Sequence, residues 1–151
     1  MSEFSHLDEK DRPKMVDVGS KSPQKRRAVA KGQIKLNSAT ILKIKQNEIR
    51  KGNVLNIAEI AAIQGAKQTS NLIPLCHPLA LTHIGAEAKI VDETTIEVEA
   101  SASCIGLTGV EMEALTAVSV GLLTIYDMCK AIDKEMVLGN IRLLEKTKEN
   151  I

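Results

Sequence analysis

Three short segments hold most of the side chains able to do chemistry: Leu75-Cys76-His77 between two prolines, Glu111-Met112-Glu113, and Asp127 with Lys130. Asp127 and Lys130 are three apart, so on a helix they share a face and can touch. One reading is a surface ion pair. The other is a general acid/base couple, and the neighbours Ile125, Met128, Cys129, Ala131 and Ile132 predict a semi-buried place where such groups are tuned. Glu111 falls three residues after Thr108, the spacing of a helix-capping box, which gives it a structural reason to be acidic. Glu113 lies beyond that role. Two apart, the glutamates are expected on different sides of a helix and not as a dyad on one atom. If Glu113 and Asp127 share one continuous helix, ~21 Å separates them at 1.5 Å per residue. A compact site using both then draws them from different subunits.

Cys76-His77 could ligate a metal or form a nucleophile and base. Adjacent loop residues make poor zinc spacing, and the other histidines are His6 and His83. Pro74 and Pro78 stiffen the segment, which suits it to present side chains to a ligand. His83, at a strand start, reads as structural. The basic inventory includes Lys21, Lys25, Arg26, Arg27, Lys31 and Lys35, with Lys51, Lys67 and Lys146 elsewhere. A charge run is usually a solvated face, yet a converging subset could hold a group as small as a triphosphate. No Walker sequence is present, so such a site would be built from side chains.

These groups need elements to place them. Arg27 to Leu36 alternates as a half-buried strand. Ser38 is the expected N-cap of a helix over 39–48, and a second helix is expected over 54–69. Ile84, Ala86, Ala88 and Ile90, then Ile96, Val98, Ala100 and Ala102, alternate around Asp92-Glu93 as a hairpin with one apolar face. A long helix is expected from the Thr108 capping box to about Asp133, and a last strand over 136–144. The order β-α-α-β-β-α-β predicts an α+β fold, an antiparallel sheet with helices on one face. The long helix carries four charges between Val110 and Ile132 and is apolar on nearly every side. A sheet covers only one side, so the remainder is expected to lie at a subunit interface.

The chain as a whole narrows the classes. Its 151 residues suit one domain, with residues 1–14 as a loose polar arm and 15–151 as the catalytic unit. A net charge of +1 provides no field for nucleic acid or an anionic membrane, and one Tyr, one Phe and no Trp leave no base-stacking platform. Three cysteines without a CxxC pattern fit a reducing cytosol. No apolar leader is visible, and the uncharged run from Ala114 to Tyr126 is too short to span a bilayer. A soluble cytoplasmic protein is expected.

The segments Met15-Val-Asp-Val, Lys51-Gly, Gln64-Gly-Ala-Lys67, Leu72-Ile-Pro-Leu-Cys-His-Pro-Leu, Leu107-Thr-Gly-Val-Glu-Met-Glu-Ala-Leu-Thr-Ala and Leu123-Thr-Ile-Tyr-Asp-Met-Cys-Lys-Ala carry a resemblance. Through them the chain resembles the molybdenum cofactor biosynthesis protein C family, the cyclic pyranopterin monophosphate synthases. The resemblance implies a ferredoxin-like fold, a four-stranded antiparallel sheet, and dimers grouped into a hexamer with the site at the dimer interface. It implies a cyclised guanosine triphosphate as substrate, and cyclic pyranopterin monophosphate and pyrophosphate as products. Asp127 would be catalytic, with Lys130 and Lys51 beside it. Leu75, Cys76, His77, Met112, Glu113, Glu111, Lys67, Arg26 and Lys146 would bind substrate. No metal site is implied; magnesium would accompany the triphosphate. Two rivals remain: a non-catalytic nucleotide-binding oligomer on the same fold, and an RNA-binding module using the Lys21–Lys35 stretch.

Overall fold

A computed structural model describes residues 5–151. Its elements are β1 (Gln24–Lys35), α1 (Ser38–Lys45), α2 (Val54–Lys67), the single turn α3 (Thr69–Leu72), β2 (Leu81–Asp92), β3 (Thr95–Gly106), α4 (Glu111–Cys129) and β4 (Val137–Glu149). The four strands form one antiparallel sheet in the order β2-β3-β1-β4, the ferredoxin-like arrangement with helices on one face.

The hairpin forms because Asp92-Glu93 turns the chain, the Asp92 carboxylate accepting the Thr94 N–H at 2.8 Å. Register then sets Ile84 opposite Ala102, Ala86 opposite Ala100, Ala88 opposite Val98 and Ile90 opposite Ile96, so one apolar face meets the helices. The other face is charged. Lys31 reaches Glu97 at 3.1 Å and Glu99 at 3.4 Å, and Arg27 reaches Glu145 at 2.9 Å.

Several boundaries differ from the sequence reading. Asn37, not Ser38, caps α1, its side chain accepting the Thr40 N–H at 2.7 Å. The helix stops at Lys45 because Asn47 takes a left-handed φ of 54°. Helix α4 has no capping box. Val110 is its N-cap, Glu111 is its first residue, and the Thr108 hydroxyl bonds the Gly109 carbonyl. It ends at Cys129 because the loop beyond is drawn aside: buried Asp133 accepts the Asn37 N–H at 2.8 Å and the Thr40 hydroxyl at 3.2 Å. β1 begins three residues early and β4 runs on to Glu149, since cross-strand pairing with Lys25–Val29 extends past the apolar alternation.

Helix α4 lies at the centre, and glycine lets its neighbours approach. A Cβ on Gly65 of α2 would meet Val120 at 2.8 Å, and one on Gly32 of β1 would meet Val118 at 2.8 Å. By length and composition α4 could cross a membrane, yet here it is a core helix, with Ala114, Val118, Leu122 and Ile125 fully buried. The expectation that the sheet alone covers it needs correcting, because α2 covers a second side. What remains is a narrow stripe: Leu115 and Ser119 partly covered, and Leu123 exposed at 58%.

Candidate active site

The candidate side chains fall mainly into two groups, one at each end of α4. At its C-terminal end the Asp127 carboxylate is held between two ammonium groups. Lys130 Nζ lies 2.8 Å from Oδ1, and Lys51 Nζ lies 2.8 Å from Oδ2 while also donating to the Asp127 carbonyl at 2.9 Å. Lys51 is delivered by the α1–α2 loop, whose Gly52 has a φ of 114° that a side chain would strain. Lys130 and Lys51 together hold Asp127 down at about 2, and Asp127 raises Lys130 in return. The expected semi-burial is not seen. The three side chains are 48–56% exposed, because Ile125, Met128 and Cys129 turn to the core while Asp127 turns out.

At the N-terminal end a pocket of about 300 Å³ is lined by Leu75, Cys76, His77, Glu111, Met112 and Glu113, among others. Glu113 is only 4% exposed, and burial, with Glu111 as a lesser cause, pushes its carboxyl above the usual range. Glu111 turns back over Gly109 to meet Lys146 at 2.9 Å, and one of its oxygens is buried without a partner among the described residues. Burial would raise Glu111, but the Lys146 ammonium outweighs it and the net shift is downward. The two glutamates thus border one cavity. As the first residue of the helix, Glu111 has its side chain drawn across to β4 instead of reaching back to a cap.

The ring of His77 bonds the Val16 carbonyl at 2.7 Å through Nε2. A carbonyl only accepts, so Nε2 carries the proton and Nδ1 is the basic nitrogen of the neutral ring. Burial, then Glu113 and Glu111, push the Cys76 thiol up, which disfavours the thiolate that a nucleophile or zinc ligand would need. Arg26 donates to the carbonyls of Gly106 and Leu107, both at 3.1 Å, and so ties down the loop that leads into Glu111. Lys67 lines a neighbouring cavity with His83, which shares Leu79 with this pocket. The sequence reading missed His6, Val16, Val18 and Lys21 as pocket residues. The Met15-Val-Asp-Val segment was the signal that could have found two of them.

Site residues at both ends of α4 and a charged outer sheet define a ferredoxin-like α+β protein suited to acid/base work on a small anionic molecule. The MoaC family model matches residues 15–149, and the chain belongs to that family. A cyclic pyranopterin monophosphate synthase of Desulfitobacterium hafniense is 54% identical over 145 residues, covering 96% of this chain and 89% of the relative. One from Roseiflexus sp. is 52% identical over 148 residues, covering 97% and 94%, and one from Peptoclostridium acidaminophilum is 50% identical over 145 residues, covering 96% and 92%.

Proposed function

We propose that the chain is a cyclic pyranopterin monophosphate synthase of molybdenum cofactor biosynthesis. It converts (8S)-3′,8-cyclo-7,8-dihydroguanosine 5′-triphosphate to cyclic pyranopterin monophosphate and pyrophosphate, as a phosphorus–oxygen lyase of the cytoplasm. The observation that carries this is the Asp127 carboxylate clamped between Lys51 and Lys130.

At rest the clamp keeps Asp127 ionised and weakly basic. A triphosphate competes for both ammonium groups, and each one it draws away restores basicity to Asp127. Asp127 then takes protons while Lys130 returns them, the shuffling that opening and rebuilding a ring requires. The same cations stabilise charge as a substrate hydroxyl attacks phosphorus and pyrophosphate leaves. The other pocket suits the fused ring. Leu75, Met112 and Leu79 give it apolar walls, and its two carboxyls disfavour phosphate but accept or share protons with ring N–H groups. Lys67, Arg26 and Lys146 stand around that pocket as substrate or loop-holding groups. Magnesium enters with the triphosphate.

The two half-sites lie ~21 Å apart along one helix, and the partly covered stripe Leu115, Ser119, Leu123 runs between them. Two copies packed antiparallel through that stripe bring Asp127 of one beside the Glu113 pocket of the other, so the working unit is a dimer, three of which form a hexamer.

Incubating the chain with the cyclic dihydroguanosine triphosphate and following pyrophosphate and pterin tests the reading. Turnover lost in Asp127→Asn, with binding retained, supports it. No turnover from the folded oligomer would leave the non-catalytic nucleotide binder. The RNA-binding rival is disfavoured, since Arg27 and Lys31 are paired with glutamates.

A further inference from the structure

One part of the ring pocket's lining does not belong to the ferredoxin-like body. It is made by Ser5, His6, Val16, Val18 and Lys21. From Met15 to Val18 burial alternates, Val16 and Val18 half-buried against the pocket and Met15 and Asp17 exposed. Upstream the chain doubles back on itself. Leu7 bridges Pro13, the Lys14 N–H donates to the His6 carbonyl at 2.8 Å, and the Asp8 N–H donates to the Arg12 carbonyl at 2.9 Å. The Asp8 carboxylate closes the turn by accepting the Lys10 and Arg12 N–H groups and the Arg12 guanidinium. This reversal returns His6, nine residues before Met15, to the mouth of the pocket.

The strap is weakly held. Among the described residues its one hydrogen bond to the body is His77 to the Val16 carbonyl, and no residue from Ser5 to Pro23 is fully buried. A segment with so few buried contacts opens at low cost. Glu113 lines the same pocket, nine-tenths buried, with no side-chain partner among the described residues. A pocket with such an acid in its lining and a singly latched wall is built to close on something polar.

We propose that residues 5–21 form a lid that closes over the ring end of the substrate, latched by His77, with His6 as a substrate contact. This rests on the function proposed above. It assigns to His77 a positioning role through Val16, besides lining the pocket. It also gives the lid a chemical purpose. In the cyclising step a P–O bond forms from the substrate hydroxyl to the α-phosphorus, the bond to pyrophosphate breaks, and the hydroxyl proton passes to a base. Water admitted to the site can replace the hydroxyl, giving an uncyclised monophosphate and the same pyrophosphate. A closed lid suppresses that branch.

Three readouts on the full chain test this: KM and kcat for the cyclic dihydroguanosine triphosphate, the ratio of cyclic to uncyclised phosphate product, and tryptic cleavage at Lys14–Met15. His6 is exposed, so His6→Ala should keep the parent Tm. It is expected to raise KM roughly tenfold, the loss of one good hydrogen bond, with kcat within about twofold. The uncyclised product should rise, and His6→Gln should recover part of the loss. Cyclic pyranopterin monophosphate should slow cleavage after Lys14 in the parent by roughly fivefold or more, the protection expected of a segment whose opening is suppressed. An unchanged KM and product ratio in an active His6→Ala overturns His6 as a contact, and unprotected cleavage overturns closure. If the parent itself makes no product, the proposed function fails first and the lid falls with it.

Discussion

A carboxylate's worth at this site depends on which partners it has. Asp127 has two ammonium groups and is held at about 2, whereas Glu113 has none among the described residues and is raised by burial. Asp127→Asn should therefore lower kcat by ~10²- to 10⁴-fold, the usual share of a general acid/base, while isothermal titration with substrate shows binding largely intact. Glu113 makes an opposite prediction for stability. Its folded-state pKa lies above the ordinary glutamate value, so the folded chain holds that proton more tightly than the unfolded one. That contribution is whole below the unfolded value near 4.5 and is lost as pH rises through the raised one. Thermal melts of Glu113→Gln against the parent should show the variant gaining relative Tm from pH 4 to pH 7. A flat difference across that range would mean that burial does not control this acid.

At the scale of elements, α4 is the rod that spaces the two proposed half-sites, and its closeness to α2 sets the frame. Gly65 leaves no room for a side chain, since its Cβ would sit 2.8 Å from Val120 and 3.3 Å from the Thr116 carbonyl. Gly65→Ala must push the helices apart, at a cost of about 1–3 kcal/mol for overpacking. A chain of this size then loses ~2–4 °C of Tm per kcal/mol, measurable by calorimetry. The α1–α2 loop matters for the same reason: Lys51 reaches Asp127 from beside Gly52, whose positive φ a side chain would strain.

For the whole molecule, the partly covered stripe on α4 leads to a prediction about assembly. Leu123→Arg places a charge at its most exposed apolar position and should break the proposed dimer, seen by light scattering, and abolish turnover together with it. Complementation tests the shared site more sharply. Glu113→Gln chains and Asp127→Asn chains, each impaired, should recover roughly a quarter of parental activity when unfolded and refolded together at equal amounts. That figure follows because half the random dimers of a two-fold pair are mixed, each with one intact site. No recovery would place both residues' roles within a single subunit.

The sequence by itself determined much of the fold. Two-residue alternation from Ile84 to Ala102 sets the hairpin and its apolar face, because a side chain's direction in a strand follows from its parity alone. The long motifs around Cys76, Glu111 and Asp127 pointed to the family that the chain belongs to, and the three-residue spacing of Asp127 and Lys130 correctly put them in contact. Tertiary structure decided what no local pattern encodes. It made Asn37 the cap of α1, drew Glu111 off a capping box to Lys146, and brought Lys51 to Asp127 across 76 residues of chain. It set Asp127 facing outward where its apolar neighbours had implied burial, and it doubled the N-terminal segment back so that His6 reaches the pocket. Periodicity reports which face of an element is apolar. Which distant groups meet a side chain depends on how the elements pack, and so on the energies of burial and pairing that only the assembled chain contains.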